Sequence, residues 1–232
     1  STTQLTATGW YYGNKVYSAD TSFTWSVSDA LGTIDEDGTF TAVQTGRDVT
    51  GTLTVTYGET SCTLPVTVGS SQPFDDTKGH WAESYITELY YAGTLQGSEK
   101  NGKLYYRPDA SMTRQEFIVA MMRYLGTDLS AYASVQLPFD DSGSIASWAK
   151  SAMQAAYQLG YLTGSKTNGK LLAKPGSTIS RQEAMTILSR TKDFADADLN
   201  VLSAFSDSGK IADWARTALA QMTQQKIISG SK

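Results

Sequence analysis

The sequence predicts two architectures in one chain, an all-β sandwich over residues 1–68 followed by an all-α bundle of tandem repeats over residues 74–232. Three observations carry this. Residues 1–68 are rich in Thr, Val, Tyr and Gly, and apolar positions alternate with period two. Gly69-Ser70-Ser71-Gln72-Pro73 is a short breaker-rich linker. Beyond it the chain repeats itself: Phe74-Asp75-Asp76, Phe139-Asp140-Asp141 and Phe205-Ser206-Asp207 lie 65 and 66 residues apart, and each is followed by Trp-Ala at Trp81, Trp148 and Trp214.

The strand evidence is local. Phe23, Trp25 and Val27 share one face of Ser22–Ser28, and Leu53, Val55 and Tyr57 share one face of Gly51–Tyr57. Asp35-Glu36-Asp37-Gly38, between Ile34 and Phe40, reads as a tight hairpin turn. Its acids also invite a calcium site, but the following liganding Glu of an EF-hand loop is missing. Cys62, the single Cys, shares a strand face with Leu64, Val66 and Val68 and is expected as a small core residue. Several short strands imply two layers, since one sheet cannot bury its apolar face alone.

In the second part the spacing after each Trp holds without gaps. Gly93 and Gly97 stand twelve and sixteen residues after Trp81, and Gly160 and Gly164 do so after Trp148. Gly230 is sixteen after Trp214, with Lys226 in place of the first Gly. Pro108 and Arg114 follow Gly97 at the same distances as Pro175 and Arg181 follow Gly164. Each full copy reads as helix, polar loop, helix. The first helix of copy one carries Trp81, Tyr85, Ile86 and Leu89 as its apolar stripe, and the loop runs from Gly97 to Ser111. The second carries Phe117, Ala120, Met121, Tyr124 and Leu125, and its counterpart Ala184, Ile187 and Leu188. Such a pair cannot bury its stripe alone, so copies must pack on one another. The repeats are expected at 74–138, 139–204 and 205–232, the third being a first half only.

Charge and chemistry narrow the function. Residues 1–73 carry two bases and seven acids, net −5, and the remaining 17 bases and 16 acids give residues 74–232 net +1. Neither part has the basic stripe of a nucleic-acid binder. No apolar run has membrane-spanning length. The chain starts at Ser1 without Met or signal pattern and reads as a piece of something longer. With His80 as the single His, one Cys and no zinc or nucleotide spacing, no catalytic, metal or cofactor site is expected. A glycosidase pair of carboxylates is the geometry a sequence cannot test.

Two resemblances follow from these residues. Phe23-Thr-Trp25, Gly32-Thr-Ile34, Gly38-Thr-Phe40, Gly51-Thr-Leu53-Thr-Val55 and Pro65-Val66-Thr-Val68 resemble a bacterial Ig-like domain, which implies a spacer or adhesive module. Phe-x-Asp, Trp-Ala, Gly-x-x-x-Gly, a Pro after a variable loop and Thr/Ser-Arg-x-Glu resemble the S-layer-homology (SLH) family over residues 74–232. That resemblance implies a three-lobed helical bundle on the outside of a bacterium with a Gram-positive-type wall. It also implies binding to a secondary cell-wall polysaccharide, often pyruvylated, attached to peptidoglycan. Gln115 and Gln182 stand where the family usually has Ala, and the third repeat lacks its Pro and Arg motif, which leaves room for self-association. The alternatives are a structural or adhesive surface-layer component, or the tail of a surface enzyme whose catalytic domain lies elsewhere.

The candidate ligand contacts are Arg114, Arg181, Trp148, Trp214, Asp141, Asp207, Gly97 and Gly164. Thr113-x-x-Glu116 and Ser180-x-x-Glu183 read as capping boxes. Capping does not explain the Arg between them, because a cation at a helix start opposes the dipole. Its planar fork beside free helix-start N–H groups suits a carboxylate such as a pyruvate ketal. The competing role is a bridge to Asp141 or Asp207 of a neighbouring repeat. Trp148 and Trp214 are either sugar-stacking faces or core. Gly97 and Gly164 either admit a sugar or serve a left-handed turn.

Overall fold

Leu31, Phe40 and Leu53 are the buried apolar side chains of the N-terminal strands; Trp25 and Val27 lie on the less exposed side of their strand as expected, whereas Tyr57, expected to share the face of Leu53, is exposed. The computed structural model describes residues 1–7, 10–11, 14–15 and 23–230. Ser22, at the head of the expected strand, and Ser231 and Lys232 lie outside these. The chain divides into two units, Ser1–Pro108 and Asp109–Lys232.

In the first unit the strands are β1 (Thr2–Gln4), β2 (Trp10–Tyr11), β3 (Asn14–Lys15), β4 (Thr24–Val27), β5 (Gly32–Ile34), β6 (Thr39–Ala42), β7 (Val49–Tyr57) and β8 (Thr60–Val68). They form two three-stranded antiparallel sheets, β1-β6-β5 and β4-β7-β8, and a β2-β3 pair. Thr hydroxyls staple β7 to β8, Thr54 to Thr63 and Thr56 to Ser61, at 2.9 Å each. Asp35–Gly38 is the turn joining β5 to β6: Asp35 Oδ1 accepts from the N–H of Asp37 and of Thr39, and Gly38 sits at φ 80° under the Trp25 indole.

Cys62 is exposed, as is Leu64, which corrects the expectation of a core residue. Alternation tells which side chains share a strand face, and not whether a second layer covers it. Among the described residues β8 pairs only with β7 and is an edge strand. Pro65, which has no N–H to donate, fits that place.

The unit continues through α1 (Glu83–Tyr91) and a hairpin, β9 (Ser98–Lys100) and β10 (Lys103–Tyr105). The breaker-rich segment is therefore not where the units divide. Gly46 lies so close to α1 that a Cβ there would sit 2.5 Å from the Ser84 carbonyl oxygen. Arg47 pairs with Glu88 at 3.1 Å, and the Thr87 hydroxyl, fully buried, donates to Gln72 at 2.6 Å. The stripe expected on α1 is half right. Ile86 is buried, but Trp81, 82% exposed, precedes the helix, and Tyr85 is also exposed.

The second unit holds α2 (Arg114–Tyr124), α3 (Lys150–Gln158), β11 (Ser165–Thr167), β12 (Lys170–Leu172), α4 (Arg181–Ser189) and α5 (Asp213–Gln224). The helices pair across the repeat boundaries, α2 on α3 and α4 on α5. Ile118, Met122, Phe139, Met153, Leu162 and Ile187 make the shared core. The α2 face agrees with the expected one at Met121, which is buried, but Ile118, Val119 and Met122 are buried beside it, and Tyr124 and Leu125 are exposed. Phe117 to Met122 is apolar all round, so periodicity could not choose its side.

Both polar loops contain a hairpin that the sequence reading took as loop. Asn101-Gly102 and Asn168-Gly169 each have positive φ at both residues, the requirement of a two-residue primed turn. The helix-ending glycines Gly93 and Gly160 are left-handed, and their N–H groups close the last turn onto Tyr90 and Tyr157. Lys226 adopts the same conformation, φ 58°, and bonds Thr223 in the same way.

Two outcomes test this description. Lys226→Gly removes the Cβ clash of a left-handed residue and is expected to stabilise the chain by about 1 kcal/mol in urea unfolding. A fragment of residues 1–108 is expected to melt higher than one of residues 1–71, which loses the α1 packing. Equal melting temperatures would show that α1 adds nothing to the strands.

Candidate functional site

The repeat signature resolves into a packing code and a residue set left over from it. Phe74 and Phe139 are buried and press on Gly97 and Gly164: a Cβ there would lie 2.5 Å and 2.6 Å from the Phe ring carbons. Gly230 faces Phe205 in the same way at 3.2 Å. The glycines are thus required by the ring beneath them.

The Asp two residues after each Phe has an equally local task. Asp76 accepts from the N–H groups of Tyr106 and Arg107, and Asp141 from those of Ala173 and Lys174, at 2.7–2.9 Å. Arg107 and Lys174 are left-handed, at φ 62° and 53°. Consecutive N–H groups in such a kink form an anion-binding nest, and the carboxylate fills it. Both Asp141 oxygens are thereby engaged inside the repeat. Asp207 makes no side-chain cap bond to the turn it opens.

The two arginines, equivalent in sequence, are not equivalent in space. Both follow capping boxes whose reciprocal hydrogen bonds are formed, Thr113 with Glu116 and Ser180 with Glu183. Arg114 is only 9% exposed. Its Nε donates to the Ala173 carbonyl at 2.9 Å and its Nη1 to Glu183 at 2.9 Å. The bridge partner is thus Glu183 of the next repeat, in place of Asp141 or Asp207. The N–H groups of Arg114 and Gln115 are also taken, by the carbonyls of Ser177 and Pro175. The free N–H cradle expected at this helix start does not exist, because the loop of the next copy closes it.

Arg181 is exposed. Among the described residues its guanidinium reaches only the Ser229 carbonyl, from Nη2 at 3.5 Å, at the edge of hydrogen-bond range. Among the described residues no carbonyl caps the N–H of Arg181 or Gln182. Each helix start is tied to the Trp of the following copy by its Gln: Gln115 Oε1 accepts from Ala146 N–H, and Gln182 Oε1 from Ala212 N–H, both at 3.0 Å. The alanine bound in each case precedes the Trp by two residues, Ala146 before Trp148 and Ala212 before Trp214. Both Trp residues are 57% exposed and belong to the surface. Sequence reasoning registered Gln115 and Gln182 only as departures from a pattern; their recurrence at one helical position was the available signal.

Glu183 sits in a strong field. Burial alone would push its carboxyl up, but hydrogen bonds from the Ser180 side chain and backbone, with the charges of Arg114 and Lys174, outweigh it and hold it below the usual carboxylate range. Arg190 is lowered by burial and by its proximity to Arg114. Among the described residues no cluster of His, Cys, Asp and Glu could hold a metal. No helix among them is long and apolar enough to cross a membrane.

The two full repeats are thus interlocked, with Arg114 buried between them and Arg181, Trp148 and Trp214 on the surface. Residues 73–118 and 138–185 match the S-layer homology domain. Those two segments are therefore S-layer homology repeats, a family that binds cell-wall polymers and associates with the bacterial surface. The chain is 27% identical over 76% of its length to an amylopullulanase of Thermoanaerobacterium thermosulfurigenes, of which it covers 9%. It is 29% identical over 68% of its length to an endoglucanase of Bacillus sp. (strain KSM-635), covering 16% of that protein. Against a surface-layer 125 kDa protein of Lysinibacillus sphaericus it is 32% identical over 53% of its length, covering 10%. The chain thus spans less than a fifth of each of these relatives. No solved structure matches it.

The asymmetry of the arginines is measurable. Arg114→Met leaves the Ala173 carbonyl and Glu183 without their partner and is expected to cost about 3 kcal/mol, whereas Arg181→Met should stay within about 0.5 kcal/mol of wild type. Because the folded-state pKa of Glu183 is depressed, its contribution is present above the unfolded carboxylate range and is lost as pH falls through the folded value. In urea titrations at descending pH, Glu183→Gln should be weaker at neutral pH and flatter in the acid range than wild type.

Proposed function

We propose that this chain holds its parent protein to an anionic, pyruvate-bearing secondary polysaccharide of a Gram-positive-type wall, with the start of α4 as its principal contact. The carrying observation is that Arg181 keeps an exposed guanidinium on a helix start with open N–H groups, while its equivalent Arg114 is consumed by packing. A guanidinium fork pairs with a carboxylate through two parallel hydrogen bonds, and the positive end of the helix dipole adds to the attraction. Trp214 offers its face to a sugar ring beside that charge, and Trp148 does so at the neighbouring helix start. Asp141 and Gly164 serve this site by holding the repeat that presents it; Gly97 holds the first copy in the same way, and Asp207 stands at the matching place in the third.

Residues 1–68 act in this reading as an Ig-like spacer. The parent is read as a surface polysaccharide hydrolase that carries this chain as its wall anchor, on the strength of the amylopullulanase and endoglucanase relatives. A surface-layer protein is the second reading, favoured by the Lysinibacillus sphaericus relative.

Sedimentation with purified wall sacculi tests the contact. Wild type should pellet with native sacculi and stay in solution with sacculi stripped of secondary polymer by hydrofluoric acid. Arg181→Ala should weaken binding by about 1.5–3 kcal/mol, the worth of one charge-assisted contact, and Arg181→Lys by less, since charge is kept and the fork lost. Equal binding of native and stripped sacculi, or wild-type binding by both variants, would remove the assignment.

A further inference from the structure

We propose that Gln115 and Gln182 are positioning residues that fix the ligand-facing tryptophan of the following repeat; this rests on the wall-polymer reading of Trp148 and Trp214 given above. The two glutamines stand second in α2 and α4, between the Arg and the Glu of the capping box. Neither side chain caps its own helix. Each reaches out of its repeat, and Oε1 accepts the N–H of an alanine that precedes the next Trp by two residues, Ala146 before Trp148 and Ala212 before Trp214. The assignment of the amide oxygen is forced, since only oxygen accepts from an N–H. The distance is 3.0 Å in both copies.

The receiving alanines occupy one backbone conformation, φ −63° with ψ 145° and φ −63° with ψ 143°, each as the residue that opens a helical turn. Alanine has no side chain with which to cap that turn, and neither has a side-chain cap bond. Its carbonyl accepts from the N–H three residues on, Ala149 and Ala215, at 2.9 Å. The Trp therefore lies in a turn held at its entry by the glutamine and closed by its own backbone bond. A ring left 57% exposed receives little orientation from packing, so its direction follows from this backbone.

The first repeat is an internal control. The residue two before Trp81 is Gly79, whose N–H donates to Glu83 of its own helix at 2.7 Å, and Trp81 is 82% exposed. There the entry is held from within the repeat, by Glu83 in place of a glutamine from a preceding copy. A glutamine at this helical position thus couples the start of one repeat to the segment that carries the stacking residue of the next.

The test uses the full chain labelled with nitrogen-15, in which the indole N–H signals of the five Trp residues are separable reporters. Gln182→Leu is expected to lower the indole order parameter of Trp214 and speed amide exchange at Ala212, with Trp81 unchanged; Gln115→Leu should do the same at Trp148 and Ala146. Gln→Glu at each position keeps an acceptor oxygen and should restore indole order and exchange protection. Gln→Met serves where a Leu variant does not fold. Binding to native sacculi should weaken roughly fivefold for Gln182→Met, the worth of about one neutral hydrogen bond. Unchanged indole order in folded Leu and Met variants overturns the positioning role, as does loosened indole order with wild-type binding. Should wild type itself ignore native sacculi, the wall-polymer reading fails, and with it the ligand-facing purpose, while the relaxation data still decide the clamp separately.

Discussion

Buried between two repeats, the Arg114 guanidinium fixes the geometry on which the second unit depends. It cannot leave the structure singly, because the Ala173 carbonyl and the Glu183 carboxylate would be left without a donor in a place that water reaches poorly. The backbone around it is equally committed. The first N–H groups of α2 end on the loop at Pro175 and Ser177, and Ile179 returns a bond to Met112. Two helix starts and one loop are thus joined, and α2 must pack on α3 with this junction in place.

Everything repetitive in the signature serves that end. The Phe ring needs a glycine beneath it, the Asp needs two consecutive N–H groups, and those N–H groups converge only when Arg107 or Lys174 turns left-handed ahead of a proline. Each device is local within one copy. Gln115, Gln182 and Arg114 are different, since each reaches into the next copy. Stacked repeats gain stability from such neighbour terms, and the same terms decide which side chains remain on the surface. Arg181 is exposed because no described residue makes for it the two bonds that repeat two makes for Arg114.

The β part obeys a different economy. Its sheets are short, its buried centre is small, and β8 is covered by little among the described residues. Its attachment to α1 through Arg47, Gln72 and the close approach of Gly46 adds apolar and polar contacts that a small sheet pair lacks. The compact unit to which the sheets belong therefore runs on past the linker, through α1 and the first hairpin, to residue 108.

By itself the sequence determined the strand-rich first part, the helix pairs of the repeat, the repeat length, the capping boxes and the turn at Asp35–Gly38. All of these are set by residues within a few positions of one another: period, cap and turn chemistry are short-range and survive without knowledge of the fold. The tertiary structure decided which side of α2 faces inward and that Cys62 and Trp81 face outward; the Asn-Gly hairpins, by contrast, rest on a local turn signal that the loop reading passed over. The tertiary structure also decided that Arg114 and Arg181, indistinguishable by motif, differ in fate. Burial and pairing depend on partners 59 and 69 residues away in the chain, and no local pattern encodes whether such a partner arrives.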